Sequence, residues 1–415
     1  MRQNRKIFIL ASTFFRMMTL MAFVMVLQYR LREIGSSLFV ISLVAAVTGG
    51  IQSITSPLWG KIADATGLRG RLLLIIAVAA MLLYPLYGFL TIPTLFLVTA
   101  GVIAFFEAGF NPIAMSLMSE YSGENRGLRS KNLGLLNAAS AAGILAGRLS
   151  LSGALSIWSV QTSVSILALG ALLAAIPAIF VPARYADLFP SSSEAESSRG
   201  LSGTTGESRS ERGPFRLLPR VEDLAYRGMW AVYLGTFIRN IGVAGFISIS
   251  ALYMKEGIGL TESRSMLVAG IDPLFMFVAH LYFGRRMIQF GIKRTMLLGT
   301  LITIVSFTSF LLASTWVLTI LGWVCIGLAY GAFHNASVTF VSIYFPPSRR
   351  GEGIGYIWTA NTLGIMIGPV IAGATAEISY PFMLGTMIAF SLAGLAILWL
   401  CVDRDESITD TTMTE

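Results

Sequence analysis

Charge is scarce in this 415-residue chain: 13% of its residues are Asp, Glu, Lys or Arg, about half of the roughly 25% that soluble domains carry. Hydrophobic residues make up 55% of it. That balance excludes an ordinary water-soluble enzyme and a disordered chain alike. Cysteine is almost missing. Cys325 and Cys401 both stand in apolar runs, where they are expected as buried small hydrophobes, and no disulfide framework or metal site is indicated. No G-x-x-x-x-G-K-[ST] loop occurs, so nothing points to nucleotide hydrolysis, and no cofactor is expected. A cleavable signal peptide is not expected either, because the first apolar run is too long and contains Arg16.

Long apolar runs are what the chain has. A helix needs about 20 apolar residues to cross a bilayer, and twelve such runs lie at about 7–29, 37–59, 72–90, 94–119, 132–156, 159–182, 229–254, 265–283, 295–313, 315–344, 353–376 and 380–401. The expected fold is an all-α integral membrane protein of twelve transmembrane helices. The net charge of +8 follows topology. Most Lys and Arg fall on alternate connections, among them Arg2, Arg5 and Lys6, then Arg126, Arg129 and Lys131, then Arg285, Arg286, Lys293 and Arg294. The other connections carry only Arg30, Arg32, Lys255 and Arg264. By the positive-inside rule both termini are expected in the cytoplasm of a cell-membrane protein, and the basicity implies no nucleic-acid partner.

One long polar stretch interrupts the pattern. Residues 184–226 are rich in Ser, Gly, Glu and Arg, and their core, 191–212, is too poor in apolar residues to fold alone. They read as a flexible cytoplasmic linker between a six-helix bundle over 1–183 and a second over 227–402, with a tail at 403–415. The two bundles are related in sequence. Arg16 and Glu33 recur as Arg239 and Glu256, 223 residues on; Gly60, Asn111, Arg126 and Gly127 recur as Gly284, Asn335, Arg350 and Gly351, 224 residues on.

The connection between the second and third runs reads Gly60-Lys61-Ile62-Ala63-Asp64-Ala65-Thr66-Gly67-Leu68-Arg69-Gly70-Arg71. This G-x-x-x-D-x-x-G-x-[RK]-x-[RK] pattern, at this place, resembles the loop motif of the major facilitator superfamily. The resemblance implies two pseudo-symmetric six-helix halves around a midplane site, worked by alternating access. It also implies a conformational latch made by Gly60, Asp64, Gly67, Arg69 and Arg71. The second copy keeps Gly284 and Gly291 but has Ile288 in place of Asp64. Gly368-Pro369 with Gly373 resembles the family's G-P-x-x-x-G element, a helix-packing device, whereas the matching stretch of span five carries Arg148 in the proline position. The arginine that the family's drug–proton antiporters carry in span four is absent; Phe105 stands there.

A charge at mid-bilayer costs roughly 2.5–3.5 kcal/mol, so each one asks for a reason. The set is Arg16, Glu107, Arg148, Arg239 and Asp272, with His280 and His334 beside them. Spans three, six, nine and twelve hold none, which agrees with the lipid-facing role the resemblance gives them. Arg16 lies ten residues past Lys6, roughly 15 Å into the hydrocarbon, and Arg239 is its repeat equivalent. Two readings stand for this pair: contact with an anionic substrate through guanidinium forks, or neutralisation inside each half by Glu107 or Asp272. Glu107 and Asp272 are the proton-coupling candidates, with ion pairing as the alternative for Glu107 and satisfaction of backbone freed by Pro273 for Asp272. Asn111, Asn335 and His334 are candidate substrate contacts, with packing as the alternative, and His280 reads as structural. Phe and Met are abundant on span one, as cavity wall or as filler. Asn335-Ala336-Ser337 matches a glycosylation sequon but lies within a span.

The expectation is a secondary active transporter, not an enzyme, with a small-molecule substrate, protons and the lipid bilayer as partners and a monomer as the working unit. Efflux of small organic compounds leads. An organic-anion transporter using Arg16 and Arg239 comes second, ahead of a lipid flippase or a non-transporting receptor.

Overall fold

The structure is a computed structural model and describes residues 2–121, 126–181, 221–345 and 350–403. Among these, twelve helices are long and apolar enough to cross a membrane: α1 (Lys6–Glu33), α2 (Leu38–Gly60), α3 (Arg69–Gly88), α4 (Pro93–Met118), α5 (Gly134–Ile157), α6 (Val160–Ile179), α7 (Glu222–Gly257), α8 (Glu262–Met287), α9 (Ile292–Leu311), α10 (Trp316–Tyr344), α11 (Gly353–Ala376) and α12 (Tyr380–Cys401). Most of the expected linker lies outside the described residues. Its last stretch, Val221–Ala225, is a helical turn at the start of α7, set off from the remainder by the left-handed Arg227 and Gly228.

The helices begin where sequence chemistry lets them. A helix end leaves backbone N–H groups without partners, and lipid supplies none. Four of the helices that start on the face opposite the termini therefore open with a hydroxyl cap. Ser37, Ser159, Thr261 and Ser379 accept from the backbone N–H groups of Val40, Thr162, Arg264 and Phe382. α2 continues as helix to Thr66 and is stopped by Gly67, whose φ of 63° is the left-handed conformation that glycine adopts at little cost.

α1 packs on α5 and α6 in the first half, and α7 packs on α11 and α12 in the second. The two arrangements share a device. A Cβ on Gly147 of α5 would collide with the backbone carbonyl of Met18, and one on Gly368 of α11 with that of Ile241. Met18 and Ile241 are 223 residues apart, so the same backbone-to-backbone approach recurs in both halves. The halves meet through α2 on α11, α5 on α8 and α1 on α7.

Two of the breaks within the described helices have a proline behind them. Pro112 disrupts α4 at Ala108 and Gly109, and Pro273 disrupts α8 at Gly270. Proline has no N–H to donate and its ring pushes away the carbonyl four residues back. The carbonyls released at these two breaks organise the buried charges.

Candidate functional site

In α4 the break leaves the carbonyls of Phe105 and Glu107 in need of donors. Trp59 Nε1 takes the first at 2.6 Å, and Arg16 Nη2 takes the second at 3.3 Å. The rest of the Arg16 fork follows from that anchoring. Nε and Nη2 pair with Glu107 Oε2, Nη1 donates to Asn111 Oδ1 at 3.2 Å, and the guanidinium lies 4.3 Å from the centre of the Phe110 ring. Arg16 and Glu107 are buried, with side-chain exposures of 6% and 1%. The second carboxylate oxygen, Oε1, has no hydrogen-bond partner among the described residues. Arg16, Glu107 and Asn111 are thus brought together in the first half.

In α8 the carbonyl freed by Pro273 belongs to Ala269, and Arg148 Nη1 of α5 donates to it and, at 3.1 Å, to Asp272 Oδ2. Arg148 therefore crosses from one half to the other. Asp272 holds that arginine, and the arginine, not the aspartate, satisfies the proline-freed carbonyl. Sequence reading missed the pairing because its partners lie 124 positions apart.

Arg239 is placed differently from its repeat equivalent. Nε and Nη2 donate to Thr303 Oγ1 at 3.2 and 2.9 Å, and the guanidinium lies 4.4 Å from the centre of the Phe333 ring. No carboxylate reaches it among the described residues. Asn335, the counterpart of Asn111, sits 3.0 Å from His280 Nδ1 instead. His334 stacks on Tyr330, with ring centres 5.4 Å apart, and meets Trp358 edge-on. His280 thus joins the same cluster.

Polar side chains left open in mid-span mark a wall that faces water, since lipid would strand them. Asn111 on α4 and Thr359 on α11 are exposed in this way, with Thr362, His334 and Asn335 half-buried. The loop motif lies at the face that carries the termini. Gly60 has open space around it, Arg71 is exposed, Arg69 begins α3, and the Asp64 side chain falls outside the described residues. Gly373 seats α11 against Ser42 and Phe39 of α2, in the other half, while Pro369 is accommodated inside the helix.

Two pseudo-equivalent bundles, charges held near broken helices and an open polar wall define a membrane transporter of the two-half type. A sequence profile of the Major Facilitator Superfamily matches residues 9–233 and again 232–414, and the chain belongs to that family. An uncharacterised MFS-type transporter of Methanocaldococcus jannaschii is 30% identical over 164 residues, 38% of this chain and 41% of that protein. Quinolone resistance protein NorB of Staphylococcus aureus is 29% identical over 184 residues, 42% of this chain and 39% of that protein. NorA of the same species is 23% identical over 183 residues, 44% and 47% of the two chains. The chain spans less than half the length of each of these relatives. Among solved structures, a nucleoside transporter NupG mutant superposes with a TM-score of 0.75 over 95% of this chain and 99% of that one, at 15% identity. A bacterial homologue of the human lysosomal transporter Spinster gives 0.71 over 96% of both, also at 15%. These structural likenesses show the fold.

Proposed function

We propose that this protein exports small organic compounds across the cell membrane in exchange for protons, by alternating access, with both termini in the cytoplasm. The observation that carries the reading is Glu107. It is a buried carboxylate at a break in a helix, held on one oxygen by Arg16, which also donates to Asn111 on the wall open to water. A carboxyl in that position changes its proton affinity when the cavity exchanges one side of the membrane for the other. Efflux is supported by the resistance proteins among the relatives. The basic face, with Arg285, Arg286 and Arg294 exposed on it, supports the orientation. Asp272 is the second coupling candidate, and its partner Arg148 ties it to the contact between the halves. His334, Asn335, Asn111, Arg16 and Arg239 are proposed as substrate contacts. Gly60, Asp64, Gly67, Arg69 and Arg71 are proposed to latch the halves in the opposite state.

The test is dye efflux from proteoliposomes loaded with ethidium under an imposed pH gradient. Wild type extrudes the dye only with the gradient present, and Glu107→Gln abolishes gradient-driven efflux while leaving exchange down a dye gradient. Unchanged driven efflux in Glu107→Gln removes Glu107 from coupling. A second reading, transport of an organic anion, is favoured by Arg239, which meets no carboxylate among the described residues. Stabilisation of the purified protein by benzoate or organic phosphates, lost in Arg239→Met, supports it.

A further inference from the structure

Beside the Arg16–Glu107 pair, the first half has a void of about 10 Å³, room for about one water molecule. It is lined by Arg16 and Thr19 of α1, Ala77, Ala80 and Tyr84 of α3, Glu107 of α4, and Ala171 and Ala174 of α6. Two of these residues carry buried oxygens without hydrogen-bond partners: Oε1 of Glu107 and the hydroxyl of Tyr84. Leaving one such group unpaired is costly, and more so when the group is charged. Both stand at one water-sized void whose lining is otherwise mostly apolar.

We infer that this void is a hydration site in which one water joins Glu107 Oε1 to the Tyr84 hydroxyl, and that it makes Oε1 the atom that takes the coupling proton. The ligand is a neutral water and not a metal cation. The void offers one carboxylate oxygen and two hydroxyls, and the guanidinium of Arg16 repels positive charge from the same wall. Arg16, Tyr84 and Glu107 are the titratable groups facing it; α6 contributes alanines alone. The consequence concerns how an ion-paired carboxylate is protonated at all. Oε2 is occupied by Arg16, so a proton added there would have to displace the guanidinium. A proton added to the free lone pair of Oε1 leaves that pairing geometry in place. Before protonation the water donates to Oε1; afterwards the new O–H donates to the water. The Tyr84 hydroxyl is both donor and acceptor, so it follows the reversal without moving. Tyr84 is a positioning residue here, since it reaches the carboxyl through the water.

This inference rests on Glu107 carrying the coupling proton, and the experiment separates the two. pH-difference infrared spectra are recorded on the full-length purified protein in ordinary and in ¹⁸O water. Tyr84→Phe keeps the ring that packs on Phe23, 4.5 Å between centres, and so is expected to fold. The expected result is a protonated-carboxyl band that vanishes in Glu107→Gln, together with an isotope-sensitive water band. In Tyr84→Phe the carboxyl band shifts in frequency and the water band disappears. A carboxyl band that belongs to Glu107 but does not shift in Tyr84→Phe, with no water band, overturns the hydration site and leaves the coupling role standing. No carboxyl band assignable to Glu107 at any pH overturns both.

Discussion

Arg16 and Arg148 each meet a carboxylate in the membrane interior, while Arg239, equally buried, meets a threonine hydroxyl and a phenyl face. The physics of removal differs accordingly. Deleting one partner of a buried pair strands the other charge and costs about 3–5 kcal/mol, whereas replacing both with apolar residues of like volume is often neutral. Arg16→Met or Glu107→Leu alone is therefore expected to lower the melting temperature sharply, and the double variant to recover most of the loss. Arg239→Met strands no carboxylate among the described residues. It gives up hydrogen bonds to Thr303 but also relieves a desolvated cation, so its melting temperature is expected to fall far less than that of Arg16→Met. Thermal unfolding of the four purified variants, without ligand, checks this. Equal losses for Arg16→Met and Arg239→Met would mean that the two arginines are neutralised alike.

At the scale of helices, glycines set how closely neighbours approach. Gly147 and Gly368 face the carbonyls of Met18 and Ile241 with no room for a methyl group, whereas Gly153, on the same helix as Gly147, faces open space. Gly147→Ala and Gly368→Ala must push α5 off α1 and α11 off α7, and each is expected to destabilise the protein. Gly153→Ala meets nothing and gains up to about 1 kcal/mol of helix propensity. Melting temperatures of the three variants check the contrast. Much of this architecture was legible in the sequence, because apolar length fixes the spans and the 223-residue offset fixes the repeat. Pro273 was legible as a proline that frees backbone, but the carbonyl it frees recruits Arg148 and not Asp272, and the break at Pro112 was not read at all. That recruitment depends on which helices the fold brings alongside, and no local pattern encodes it. The repeat also misleads where the halves diverge: Asn111 serves Arg16, yet Asn335 turns to His280. Thr303 and Tyr84 carried no signal at all, being ordinary residues in ordinary apolar runs.

Across the whole molecule, the hydrogen bonds between halves among the described residues lie from the membrane middle towards the face opposite the termini. Arg32 grips Glu256 through two bonds, at 2.7 and 3.2 Å, and Tyr380 donates to the same carboxylate at 2.8 Å. Gln28 bridges to the backbone of Ile247 and Ala251, and Glu377 accepts from Phe39 N. Ser152 and Ser263 each donate to the other's carbonyl at 2.8 Å. This is a seal on one face, the geometry of a carrier closed on that side. Under the alternating access proposed above, a seal that opens in every cycle cannot be strong, and its parts are individually weak. An exposed pair such as Arg32–Glu256 is worth about 0.2–1 kcal/mol. The buried Arg148–Asp272 pair recovers its hydration when water enters, which offsets the lost attraction. Alternation therefore needs all these contacts to part together, and a single covalent tie should stop it. With Cys325 and Cys401 first replaced by alanine, Ser152→Cys combined with Ser263→Cys places two thiols where the hydroxyl oxygens stand 3.3 Å apart. Mild oxidation is expected to crosslink them and abolish transport in proteoliposomes, and reduction to restore it. Crosslinking that leaves transport unimpaired would mean that α5 and α8 stay together throughout the cycle and that the opening lies between other helices.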